Sequence, residues 1–119
     1  MGFLKSLFSD PKGKAFKLDK NHNVYYKGDG VTELDSGHVG GFLRGVGYFK
    51  DDNNIDVQIL SPSGKPDELK VNFIVNPQYI TPEIEGHFTS MISSMYELFP
   101  GKKLSGGLVD PHFAEVKSL

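Results

Sequence analysis

The chain has no cysteine and no tryptophan. The first absence excludes a disulfide framework and any thiolate chemistry. The second, set against nine phenylalanines and five tyrosines, points to a phenylalanine-rich core. No apolar run approaches the roughly 18 residues that a membrane-spanning helix needs. The opening MGFLKSLFSDPKGK is too short and too interrupted for the apolar region of a signal peptide. A cytoplasmic protein is the expectation from these features.

Recognisable catalytic spacings are missing as well. The four histidines, His22, His38, His87 and His112, fall in no HExxH or comparable zinc pattern. There is no Gly-x-Ser-x-Gly elbow to activate a serine. The glycine-rich run from 37 to 47 lacks both the Gly-Lys-Ser/Thr ending of a phosphate loop and a complete GxGxxG after a strand. Structural glycine is the better reading, and no cofactor is expected.

With 119 residues, the chain is the length of one domain, 1–119, and long enough to bury about two-thirds of its unfolded surface without a metal or disulfide. The net charge of −2 argues against a nucleic-acid-binding field. Charge is nevertheless uneven. Residues 1–27 carry six lysines against Asp10 and Asp19, whereas residues 29–68 carry eight acids against Arg44, Lys50 and Lys65.

The hydrophobic pattern predicts an α+β fold: an antiparallel β-meander of about five strands, one main C-terminal helix over 82–99 packed on one face, and a short N-terminal helix. Phe3, Leu4, Leu7 and Phe8 have helical spacing before Asp10-Pro11 stops them. Phe16 and Leu18, then Val24-Tyr25-Tyr26, read as a hairpin. The stretch 39–49 fits either a helix stripe or a strand. Gly40, Gly41, Gly45 and Gly47 tip the reading to a strand over at least 42–49, because they would weaken a helix by about 3–4 kcal/mol relative to alanine. That strand, with Gly41, Gly45 and Gly47 on one face, would let the helix approach closely, filled by Phe88 or Met91.

Ile55, Val57 and Ile59, then Leu69, Val71, Phe73 and Val75, alternate with mostly polar neighbours, as strands with one wet face do. The helix over 82–99 starts with Thr81 as cap and Pro82 at its first position, with Glu83 and Glu85 near its positive end. Its apolar stripe is Ile84, Phe88, Met91, Ile92, Met95, Leu98 and Phe99. Asp110-Pro111 is read as the cap of a further short helix, with Phe113 and Val116 facing inward.

Three functional readings follow. The first is a non-enzymatic interaction domain, of adaptor, inhibitor, immunity or chaperone type, that binds another protein or a second copy of itself. Its surface would be the helix face Gly86, Thr89, Ser90, Ser93 and Ser94, whose small uncharged side chains permit close approach, together with the acidic turn at Asp51 and Asp52. The second is a small-ligand, metal or hydrolytic site. Glu83 and His87 share a helix face at i, i+4, and Asp110 and His112 would join them if the tail folds back. The third is docking on a membrane surface through Phe3, Leu4, Leu7 and Phe8, beside the myristoylation-like Met1-Gly2-Phe3-Leu4-Lys5-Ser6. The balance of residue types falls toward the first.

Overall fold

A computed structural model describes residues 13–62 and 64–119. The expected N-terminal helix and its apolar residues, Phe3, Leu4, Leu7 and Phe8, lie outside the described residues. The chain is α+β. Among the described residues six strands, β1 (Lys14–Asp19), β2 (His22–Lys27), β3 (Val57–Leu60), β4 (Glu68–Ile74), β5 (Lys103–Val109) and β6 (Glu115–Ser118), form one sheet in sequence order. Helix α1 (Glu33–Gly45) connects β2 to β3, and α2 (Pro82–Met95) connects β4 to β5. The described residues are therefore arranged as three hairpins joined by two helices. Within each hairpin the strands are antiparallel; across each helix they are parallel. This mixed sheet replaces the expected antiparallel meander, because a helical crossover returns the chain to the same strand direction.

Both helices cover the same face. Val24, Val57, Phe73 and Leu108 stand in register in one row across β2 to β5, and Tyr26, Ile59, Val71 and Gly106 form the next row on that face. Helix α1 lies over the β1–β2 end, where a Cβ added to Gly40 would sit 3.0 Å from Leu18 Cδ1 and 3.4 Å from Val24 Cγ2. Helix α2 lies over β4 and β5, with the Phe88 ring tilted against Phe73 at a centroid distance of 4.6 Å. Since β2 and β3 run opposite to β4 and β5, two crossovers on one face have opposite hand. One of them is thus of the left-handed kind that is rare in βαβ units.

The helix at 33–45 corrects the expectation of a strand over 42–49. Thr32 accepts from the Asp35 N–H at 3.2 Å and Asp35 returns the bond to the Thr32 N–H at 2.9 Å, a complete capping box. Ser36, Val39, Gly40 and Leu43 are the buried stripe. Gly41 and Gly45, expected to line the close contact, face open space; Gly40 makes it. Packing on the sheet thus compensates the poor helix propensity of the glycines.

Helix α2 follows its sequence signals. Thr81 caps the Ile84 N–H at 3.2 Å, Pro82 opens the first turn, and Phe88, Met91, Ile92 and Met95 are buried. The α-helix ends at Met95 and tightens to a 3-10 turn over Tyr96–Leu98, so it is shorter than the expected 82–99. After it comes β5, which the sequence pattern missed. The expected helix after Asp110 is instead the edge strand β6, all of it exposed. Asp110 Oδ1 accepts from the His112 and Ala114 N–H groups at 2.8 and 3.0 Å, which makes it the cap of a turn rather than of a helix. Nor is the far face of the sheet mostly wet: Gln58 and Asn72 are buried there, with Asn72 Nδ2 donating to Gln58 Oε1 at 2.9 Å.

Gly106 shows why β5 tolerates glycine. A Cβ there would fall on Ile92 Cδ1 and within 3.1 Å of Ile92 Cγ1, so the missing side chain is the seat of α2. Gly106→Ala is expected to destabilise the fold by about 1–3 kcal/mol through overpacking. The double variant Gly106→Ala, Ile92→Val should recover part of that loss, since Ile92→Val removes the clashing methyl. Urea unfolding of the four chains of this cycle measures the coupling, and simple additivity would refute the contact.

Candidate functional site

The segment from 46 to 56, between α1 and β3, contains no regular secondary structure yet is tied down closely. The ties come from three successive residues at the β1–β2 turn. Asn21 Nδ2 donates to the Asp51 carbonyl at 3.1 Å. The Asn23 N–H donates to Asp56 Oδ1 at 3.0 Å. Between them stands His22, fully buried and stacked on buried Phe49 with ring centroids 4.5 Å apart. Its Nδ1 lies 2.8 and 2.9 Å from the two carboxylate oxygens of Asp19, and its Nε2 lies 2.6 Å from Asn53 Oδ1.

The protonation state follows from the partners. Asn53 Nδ2 donates to the Tyr48 carbonyl at 3.0 Å and Asn53 Oδ1 accepts from the Lys50 N–H at 3.0 Å, which fixes the orientation of the amide. Nε2 therefore faces an acceptor, and Nδ1 faces a carboxylate that only accepts. Both ring nitrogens must donate, so His22 is an imidazolium. Burial opposes the charge, but the hydrogen bonds to Asp19 and Asn53 and the charge of Asp19 outweigh it, and the pKa is raised. Reciprocally, the His22 hydrogen bond holds the Asp19 carboxyl far below the usual carboxylate range, helped by the Asn21 N–H and Arg44. Arg44, in the last turn of α1, pairs with Asp19 and, at 3.2 Å, with Asp51. The four charges, two of each sign, cancel.

This clamp holds one wall of a cleft of about 380 Å³, in which Val46, Tyr48, Lys50 and Asn53 face His87 and Met91 of α2. No carboxylate lines it among the described residues. Tyr48 packs its ring edge-on to Phe73 and Phe88, and burial pushes its phenol well above the usual value, so the hydroxyl stays a neutral donor. Among the described residues, neither the Tyr48 hydroxyl, the Lys50 ammonium nor the His87 ring makes a hydrogen bond or ion pair. On the opposite flank of α2 a smaller groove of about 140 Å³ runs between Thr89, Ser93 and Tyr96 and strand residues Leu104 and Gly106. The chain's own Leu119 borders it, its N–H donating to the Gly106 carbonyl at 2.9 Å.

Gly86, Thr89, Ser90, Ser93 and Ser94 are all exposed and form the ridge of α2 between the two grooves. Thr89 and Ser94 turn their hydroxyls back onto the Glu85 and Ser90 carbonyls. Asp51 belongs to the clamp, and Asp52 is exposed beside it. Glu83 and His87 are exposed on α2, while Asp110 caps its own turn and His112 is exposed in it. No hydrogen bond or ion pair joins the first pair to the second, and no three His, Asp or Glu gather to hold a metal among the described residues. His22, Asp19, Asn53 and Tyr48 were not among the candidates. The Asp19-x-x-His22 spacing was a signal for the first two, but Asn53 stands 31 residues away.

Comparison with protein-family models, with curated proteins and with solved structures finds no match to this chain.

Because its pKa is raised on folding, His22 contributes stability that is complete below the ordinary imidazole value of about 6.5 and is lost as pH rises through the folded value. Asp19 acts in the opposite sense, contributing above about pH 4 and losing its contribution as pH falls toward its depressed value. Stability should therefore decline in the parent chain as pH rises above about 6.5 and through the raised folded value of His22. His22→Gln should lower stability by about 2–4 kcal/mol at pH 6 and flatten that decline. Urea midpoints across this range test the clamp; an unchanged slope in the variant would assign the pH dependence elsewhere.

Proposed function

We propose that this chain is a non-enzymatic interaction domain that binds another protein, or a second copy of itself, through the outer ridge of α2. The observation that carries the reading is the ridge itself. From Gly86 to Ser94 the helix has no Lys, Arg, Asp or Glu, although Gly86 and the small side chains of Thr89, Ser90, Ser93 and Ser94 are exposed. Solvated helix faces ordinarily carry charge, whereas interface centres are depleted of it. Apolar groups frame the ridge: Val46 at the wider cleft is 52% exposed and Tyr96 at the narrower groove is 48% exposed. A small-residue ridge between two grooves offers a partner both close approach and places for larger side chains. The exposed turn at Asp51 and Asp52, with Asp51 paired to Arg44, lies between Lys50 and Asn53 of the wider cleft.

The fold alone does not assign an activity; the proposal rests on this surface. Arginine at Ser90 and Ser93 places two long charged side chains on the ridge without touching the buried stripe. The Ser90→Arg, Ser93→Arg chain should unfold within about 0.5 kcal/mol of the parent. It should lose at least about tenfold in affinity for the partner, or in self-association by light scattering. Equal association of the two chains would remove the ridge from consideration.

A further inference from the structure

We infer that the cleft between the 46–53 loop and α2 is a binding site for a small organic carboxylate with an apolar body. The inference is separate from the ridge and does not depend on it. Its size comes first: about 380 Å³ lies within the range of small-molecule sites. Its chemistry comes next. Three residues with donor side chains line it, Lys50, His87 and Tyr48, and among the described residues none of those side chains is hydrogen-bonded or ion-paired. Among the described residues no carboxylate lines the cleft to neutralise them. The nearby acids are otherwise placed: Asp19 and Asp51 are paired with His22 and Arg44, Glu83 lies one turn before His87 on α2, and Asp52 is exposed on the turn. An anion is the ligand that such a set of donors recognises. Met91 and Val46 supply an apolar surface for the remainder of the molecule.

The donor-bearing loop is also preorganised. The loop that presents Tyr48, Lys50 and Asn53 is held by a buried imidazolium, which is an expensive way to fix an irregular segment. Asn53 uses both ends of its amide to hold His22, Lys50 and Tyr48 together. The donors are thereby set before a ligand arrives, so less ordering cost is left for binding.

Benzoate is the probe, with benzamide as its neutral isostere and inorganic phosphate as an anion without an apolar body. Amide chemical shifts of the full chain are followed by two-dimensional NMR titration. Benzoate should give saturable shifts centred on residues 46–53 and 87–91, with affinity at least about fivefold above that of either comparison compound. Lys50→Ala should weaken benzoate about tenfold, His87→Ala should weaken it less, and Ser90→Arg, Ser93→Arg should leave it unchanged. Four results overturn the proposal: no saturable shift, benzamide binding as well as benzoate, phosphate binding as well as benzoate, or full benzoate affinity in the Lys50→Ala, His87→Ala double variant. The first result leaves the ridge reading intact, and loss of partner binding in the arginine variant leaves this one intact, so the two fail separately.

Discussion

A charged imidazole sealed from water is the constraint around which the rest of the molecule is arranged. An unpaired cation in that position would shed its proton, because desolvation disfavours the charged form. His22 keeps it because β1 supplies a carboxylate on one side and the 46–56 segment supplies an amide oxygen on the other. The ring thereby joins the first hairpin to a loop more than twenty residues further along the chain. Arg44 extends the link to the end of α1, through Asp19 and Asp51. Charge balance within the cluster is what makes it tolerable, and the cost of breaking it is what makes the loop definite.

From that fixed loop the geometry of the exposed face follows. Tyr48 lies over Phe73 and Phe88, so the loop, β4 and α2 share one aromatic cluster. The loop can then open a cleft against α2 while its backbone stays tied beneath. On the other flank, Gly106 lets Ile92 descend onto β5 and sets the depth of the second groove. The same helix consequently presents a buried apolar stripe, two bordered grooves and an uncharged ridge. The proposed interaction through the ridge and the proposed binding of a small acid in the cleft would be two uses of one arrangement.

Local signals made part of this legible. Thr81-Pro82 with the Phe88, Met91, Ile92, Met95 stripe identified α2 because cap and periodicity agree. The Phe16 to Tyr26 hairpin and the alternating β3 and β4 were legible for the same reason. The glycines misled. Their intrinsic preference argued against a helix at 33–45, and they hid the strand at 103–109, yet Gly40 and Gly106 are where a helix meets the sheet. Propensity describes an isolated residue, whereas these positions were decided by the neighbour that fills the missing side chain.

The sequence by itself determined the α+β class, the position and inward face of α2, and the small uncharged ridge on its back. These depend on residues within a turn or two of one another. Only the tertiary structure decided that the sheet is mixed and that both helices cover one face. It also decided that His22 is a buried cation and that Lys50 stands opposite His87. Each of these rests on partners far apart in the chain: His22 and Asn53 meet because β2 and the loop before β3 are brought side by side. Short-range patterning reports which face of an element seeks burial, and the cross-chain pairing of polar groups is fixed only when the elements are packed.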